Sequence, residues 1–302
     1  MRIEDDGENV IFRNPRFLTL LEDGSLIFFD YPHLLKYNKD GKFVFKILKQ
    51  GSGPKECQNP SFYFVDKNKL FIHSWIPPKI LIYDLNGKYL KEYRIPSSTF
   101  RFLGLIENKI YGIRDEIRYS DFIHKEGIYE TAYSVYEITN NFKKLKKIQD
   151  IPVKHYIKKA RWRQRTLFSV LPFKHYLFII HTSEYQISRL DLRTGQIDKV
   201  FKRPYPRIKS EVKEEDRDIY NPAPRDFRPP PLKYVFDIWW IQVYKNSLWV
   251  FTSTKKGKKS LIDVFDMEGN YIDRFHLEYP DNGLFHKPYN TLISDAGYLY
   301  VP

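Results

Sequence analysis

His73 and His181 end apolar strands at matching places of two similar segments, and Asp30 and Asp115 end strands in the same way. Were those strand ends gathered about a common axis, imidazole nitrogens and carboxylate oxygens there could ligate a metal or act as a general base. Histidines merely hydrogen-bonded beside a channel mouth would leave the same trace. The eight histidines offer nothing stronger, because HExxH, HxH and GxSxG are all missing. No cofactor is predicted, and whether any metal binds stays open. Cys57 is the single cysteine, which excludes an intrachain disulfide and a cysteine zinc site and favours a small packing residue. Glu56 reads as a group that caps backbone N–H rather than as an acid catalyst.

A second chemistry is carried by charge. The stretch VKHYIKKARWRQRT, Val153 to Thr166, places Lys154, Lys158, Lys159, Arg161, Arg163 and Arg165 among His155, Tyr156 and Trp162 without one acid. Cations attract phosphate or sulfate, and an aromatic ring among them can stack a base or a sugar. A solvated basic surface, with Trp162 anchoring the loop to the body, fits as well. TKKGKKS, from Thr254, adds four lysines. The whole chain of 302 residues has 50 Lys+Arg against 37 Asp+Glu, a net charge of +13 that would draw it toward polyanions.

The elements that must position these groups are strands. Aromatic content is 17%, and no long stretch has helical period. PRFLTLLEDGSLIFFD, from Pro15, repeats in outline as PSFYFVDKNKLFIHS, from Pro60, and LLKYNKDGKFVFKI, from Leu34, repeats as ILIYDLNGKYLKEYRI, from Ile80. Each unit reads as four short antiparallel strands a, b, c and d. The c–d turn recurs at Gly41, Gly87, Gly195 and Gly269, with Asn140 and Asn141 standing in once; both residue types tolerate the positive φ of tight hairpins. Tyr37, Tyr83 and Phe265 share one c-strand position and are expected in the core, whereas of Trp239 and Trp240 one should face out.

GSGPKECQNP, Gly51 to Pro60, precedes a strand and not a helix, so it is expected to join two units rather than cradle phosphate. The C-terminus carries only an a–b pair and the N-terminus only a c–d hairpin. Together they complete a unit and would close a ring, removing exposed sheet edges. The expected fold is all-β: one six-bladed β-propeller domain over 1–302. Its blades lie near 15–50, 60–96, 100–152, 166–203 and 234–277, with 288–302 plus 1–14 as the last; 204–233 is an inserted proline-rich loop.

GSGPKECQNP followed by PPKILIYDLNGK resembles the NHL-type repeat, and the chain as a whole is similar to bacterial six-bladed propellers of the NHL/TolB-like class. That resemblance implies the fold, and an extracytoplasmic location, although MRIEDDGENVIF lacks the chemistry of a secretory signal. No run of 18 apolar residues predicts a membrane span. The long connections, Asp115 to Thr131, Pro152 to Arg165 and Pro204 to Lys233, all fall at the b–c and d–a end of the blades. That rim is therefore the expected binding face, for a protein, peptide or glycan, on a monomeric and non-catalytic scaffold. Polyanion binding through 153–166 and a metal-dependent lyase or hydrolase near the axis are the alternatives.

Overall fold

The computed structural model describes residues 15–58, 60–95, 100–107, 109–139, 144–159, 161–164, 166, 168–211, 230–257, 259–278, 292–293 and 299–300. The N-terminal hairpin expected within 1–14 lies outside them. The chain falls into two compact units, one of Met1–Arg114, Tyr136–Lys147 and Lys287–Pro302, the other of Asp115–Val135 and Ile148–His286.

Strands follow one another with alternating direction, and each sheet is ordered as the chain runs. β1 (Pro15–Leu20), β2 (Leu26–Asp30), β3 (His33–Tyr37) and β4 (Phe43–Ile47) form the first sheet. β5 (Pro60–Asp66), β6 (Lys69–Ser74), β7 (Lys79–Asp84) and β8 (Tyr89–Arg94) form the second. The third contains β9 (Phe100–Ile106), β10 (Lys109–Asp115), β11 (Glu126–Thr139), β12 (Lys144–Lys158) and an added edge strand, β13 (Arg161–Gln164). β14 (Ser169–Phe173), β15 (Tyr176–Ile180), β16 (Gln186–Asp191) and β17 (Gln196–Lys202) make the fourth. β18 (Ile238–Tyr244), β19 (Ser247–Lys256), β20 (Lys259–Asp266) and β21 (Tyr271–Glu278) make the fifth. β22 (Leu292–Ile293) and β23 (Leu299–Tyr300) pair antiparallel, as expected of an a–b pair.

The middle strands supply most of the core because both their faces are covered, and first and last strands add single rings and aliphatic side chains. In the first unit Ile27, Phe29 and Leu34 of the first sheet pack on Tyr63, Leu70, Ile72 and Tyr83 of the second, with Cys57 buried among them. Phe71, Ile80 and Ile82 then turn the second sheet's other face to Phe100, Phe102 and Tyr136. In the second unit Phe178, Ile187 and Phe201 pack on Ile241, Val250 and Phe265. Each such side chain stabilises the fold by about 1.5–3 kcal/mol through burial. The first strands of neighbouring sheets stand side by side: β5 with β9, β14 with β18, and likewise β1 with β22.

The c–d turns owe their recurrence to one local arrangement. Asn38, Asp84 and Asp266 each accept N–H bonds from the second and fourth residues onward, at 2.8–3.0 Å. The chain then reverses through Gly41, Gly87 and Gly269 at φ 80°, 83° and 91°, where a β-carbon would strain the backbone.

Two connections differ from the sequence reading. Residues 153–166 are not a loop: β12 continues to Lys158 and returns through β13, pairing His155 with Gln164 and Lys158 with Arg161. The cause is period-two patterning that survives the charge run. Ile151, Val153, His155 and Ile157 are buried while Pro152 and Lys154 are exposed, so the strand gains more by continuing than its charges lose. β11 begins at Glu126 instead of Thr131 to pair with this extension, after a single 3-10 turn at Tyr119–Phe122. TKKGKKS likewise is a hairpin, β19 running to Lys256 and β20 starting at Lys259.

Candidate functional site

In an antiparallel sheet of this order the b–c turn and the exit of strand d lie at the same end. At that end of the first unit the Gly51–Gln58 joint touches both neighbouring b–c turns. Tyr31 donates its hydroxyl hydrogen to the Gln58 carbonyl at 3.2 Å, and the Gln58 N–H bonds to the Ile76 carbonyl at 3.1 Å. Gln50 Nε2 donates to the Tyr31 hydroxyl at 3.2 Å, and Gln58 Nε2 to Ser52 Oγ at 2.8 Å. Tyr31 is 49% exposed, Trp75 42% and Ile76 52%, in sheets whose inner aromatic rings are buried.

The joint itself is held by Glu56. Its Oε2 accepts from Gly53 N–H at 3.0 Å and its Oε1 meets Lys49 Nζ at 3.2 Å. The Gly53 bond, then Lys49, holds this carboxyl below its ordinary range. Gly51, at φ 153°, sits where a β-carbon would meet the Glu56 carboxylate. Lys79, almost wholly buried, donates to the Gly53 carbonyl at 2.7 Å and to Glu92 at 3.1 Å.

In the second unit the basic stretch is distributed over two faces. Lys154, Lys159 and Arg161 are exposed, while His155 and Tyr156 are buried. His155 Nδ1 lies 2.7 Å from Thr131 Oγ1, and burial pushes this imidazole down to about 4. Tyr156 donates to Glu126 at 2.8 Å and Lys158 pairs with the same oxygen at 3.0 Å. Those two contacts hold Glu126 below the usual carboxylate range. Trp162 and Arg163 sit on β13 by backbone position, and Arg165 is outside the described residues. Trp239 is 40% exposed beside an irregularity in the β18–β19 pairing, and Trp240 is half-buried, so the two rings part as their alternation requires.

The same unit roots the long connection between the fourth and fifth sheets. Arg203 binds the fully buried Asp263 at 2.7 and 2.8 Å and lies over the rings of Tyr185, Tyr205 and Tyr271. Tyr185 donates to Asp263 at 2.7 Å. Arg207 pairs with Asp237 at 3.2 Å and donates to the Ser183 carbonyl. Residues 208–210 and 233–235 then run side by side through backbone bonds. Sequence reasoning missed this cluster because its partners lie 60 and 78 residues apart. It missed Tyr31 and Trp75 too, although an aromatic residue just before proline at a b–c turn, Tyr-Pro and Trp-Ile-Pro-Pro, was a usable signal.

The four strand-end residues have separate surroundings. His73 is buried against the Phe102 ring, 5.2 Å between centroids, and burial pushes its imidazole down to about 4. Asp30 is buried at the end of β2. In the other unit His181 meets Ser188 Oγ at 3.0 Å and is lowered by burial; Asp115 accepts from Ile117 N–H at 3.0 Å and is raised by burial. Among the described residues no three His, Cys, Asp or Glu side chains are grouped closely enough to hold a metal ion. No helix among them is long and apolar enough to cross a membrane.

A family model described as a 6-bladed beta-propeller, DUF5128, matches residues 23–191, more than half of the chain. The chain belongs to that family. Similar solved structures agree on the fold. One is a Bacteroides fragilis protein described as exported, 17% identical at a TM-score of 0.56, covering 92% of this propeller and 74% of its own chain. Another is the extracellular domain of a one-component system from B. thetaiotaomicron, 10% identical at a TM-score of 0.52, covering 99% of this propeller and 34% of that chain. No curated protein matches the chain.

Proposed function

We propose that this propeller is a non-catalytic recognition scaffold whose ligand, a protein, peptide or glycan, is gripped at the b–c and d–a end of the blades. The observation that carries this reading is asymmetry between the two ends. Described a–b and c–d connections are tight turns, such as Lys67–Asn68 and Asn38–Lys42. Within each unit the b–c and d–a ends of the sheets carry the longer connections: the Gly51–Gln58 joint in one, and in the other the β12–β13 return and the connection rooted by Arg207 and Asp237. Rigidly mounted, elaborated connections on one side of a scaffold are where binding residues gather. The buried carboxylates Asp237 and Asp263 are both engaged by arginines, Asp263 by the Tyr185 hydroxyl as well.

Two sets of variants test the reading against a displayed peptide library and a glycan array. Trp75→Ala, Trp239→Ala and Arg161→Ala alter the elaborated end, whereas Asp40→Ala, Asn86→Ala and Glu268→Ala alter the turn end. Selective binding should be lost in the first set alone. Equal loss in both sets, or no loss in either, overturns it.

A second reading, polyanion binding, is favoured by Lys154, Lys159 and Arg161 lying exposed on one hairpin. Counterion release makes such binding strongly salt-dependent, so heparin retention should collapse between 50 and 200 mM salt. Retention that ignores salt excludes this second mode.

A further inference from the structure

We infer that the patch formed by Tyr31, Trp75 and the Gln50, Ser52 and Gln58 side chains is a subsite for a neutral oligosaccharide. This deepens the recognition reading and rests on it. The first ground is the pairing of ring faces with amides. Tyr31 and Trp75 stand on the b–c turns of adjacent sheets, and a single residue bridges them: Gln58 accepts from Tyr31 and donates to Ile76, the neighbour of Trp75. Two half-exposed rings mounted on tight turns lose little side-chain freedom when a ligand lies on them, and a pyranose presents C–H faces that such rings cover well.

The second ground is hydrogen-bonding versatility. A sugar hydroxyl both donates and accepts, so a complementary surface needs groups that do both. Glutamine amides, a serine hydroxyl and a phenol meet that requirement. Among the described residues one amide N–H of Gln50 and one of Gln58 holds the patch in shape, at 3.2 and 2.8 Å, leaving each carbonyl as an acceptor direction on an exposed side chain.

The third ground is charge. The charged side chains of the joint have other partners: the exposed Lys49 pairs with Glu56, Lys79 with Glu92 and the Gly53 carbonyl, and Lys55 lies over the Tyr89 ring. The five ligand-facing side chains are uncharged. That disfavours a phosphate or sulfate ligand here, which the exposed cations of the β12–β13 hairpin suit better. A purely apolar protein surface is also a poor match, since closing over Gln50, Ser52 and Gln58 would desolvate them without replacement bonds.

The experiment is calorimetric titration of the full chain with hexasaccharides of a neutral panel: α-glucan, β-glucan, mannan, xylan and galactan. At least one should bind. Trp75→Ala should weaken that binding at least tenfold, Tyr31→Phe several-fold, and Trp75→Phe should restore most of it by keeping a ring. Gln50→Ala, at an exposed position outside the packed sheets, provides a second probe should Trp75→Ala fail to fold by circular dichroism; it too should weaken binding several-fold. Binding by none of the panel, or binding indifferent to Trp75→Ala and Gln50→Ala, overturns the assignment. The same variants tested on a displayed peptide library separate the two levels. Peptide binding lost in Trp75→Ala with no glycan bound leaves the recognition reading standing without its sugar; no ligand of either kind removes both.

Discussion

His73 and His155 are neutral groups sealed into the sheets, each lowered by burial to about 4 from the ordinary value near 6.5. A base with a depressed folded pKa takes its proton more readily in the unfolded chain. The stability these residues allow is therefore complete above pH 6.5 and drains away as pH falls toward 4, by up to about 3 kcal/mol for each. Urea unfolding at pH 7.5 and pH 5 should show the loss, and a His73→Phe variant should lose less across the same interval. Stability that is flat over this interval in the parent protein would mean that the imidazoles are hydrated. On sequence alone His73 invites a metal or general-base reading and His155 a place in the polyanion-binding stretch; in the structure both are buried, with Phe102 against one and Tyr133 beside the other.

Strands and turns were legible wherever their chemistry is local. Asn38, Asp84 and Asp266 announce the c–d turns because each needs only its own next four residues. The Gly51–Gln58 joint was legible for the same reason, Glu56 reaching back three residues to Gly53. Misreading began where a local break signal competed with a long pattern. Pro152 and the lysines after it look like a loop, but alternation through Ile157 prevailed, and Pro152 is tolerated where β13 has not yet begun to pair. Close approach between strands was invisible in the sequence. Gly112 on β10 leaves room for the Phe100 ring, whose nearest atom would stand 1.8 Å from an added β-carbon. Gly112→Ala should accordingly destabilise the protein by about 1–3 kcal/mol through overpacking, measured as a shifted urea midpoint with unchanged slope. An unshifted midpoint would show that Phe100 can move aside despite its burial.

At the scale of the whole molecule, a repeated blade was readable because the same four-strand pattern recurs in five sheets, one of them with an added edge strand, while the residues that distinguish this propeller sit on connections and partner over long range. The connection after β17 illustrates the division. Its root is closed by Arg207 with Asp237 and by the pairing of 208–210 with 233–235, before residues 212–229 begin. Replacing 212–229 with a four-residue Gly-Ser bridge should leave the thermal midpoint within about 2 °C, since shortening an already closed loop changes its closure entropy little. A large drop would mean that the segment contributes packing of its own. The Arg203–Asp263 contact reaches further than the connection it anchors. Arginine from the end of the fourth sheet neutralises a carboxylate deep in the fifth, so prising the two apart would strand a charge in oil-like surroundings. Fraying that starts at either sheet must halt at that seam or carry both away together, which makes the pair a single breathing body in the molecule.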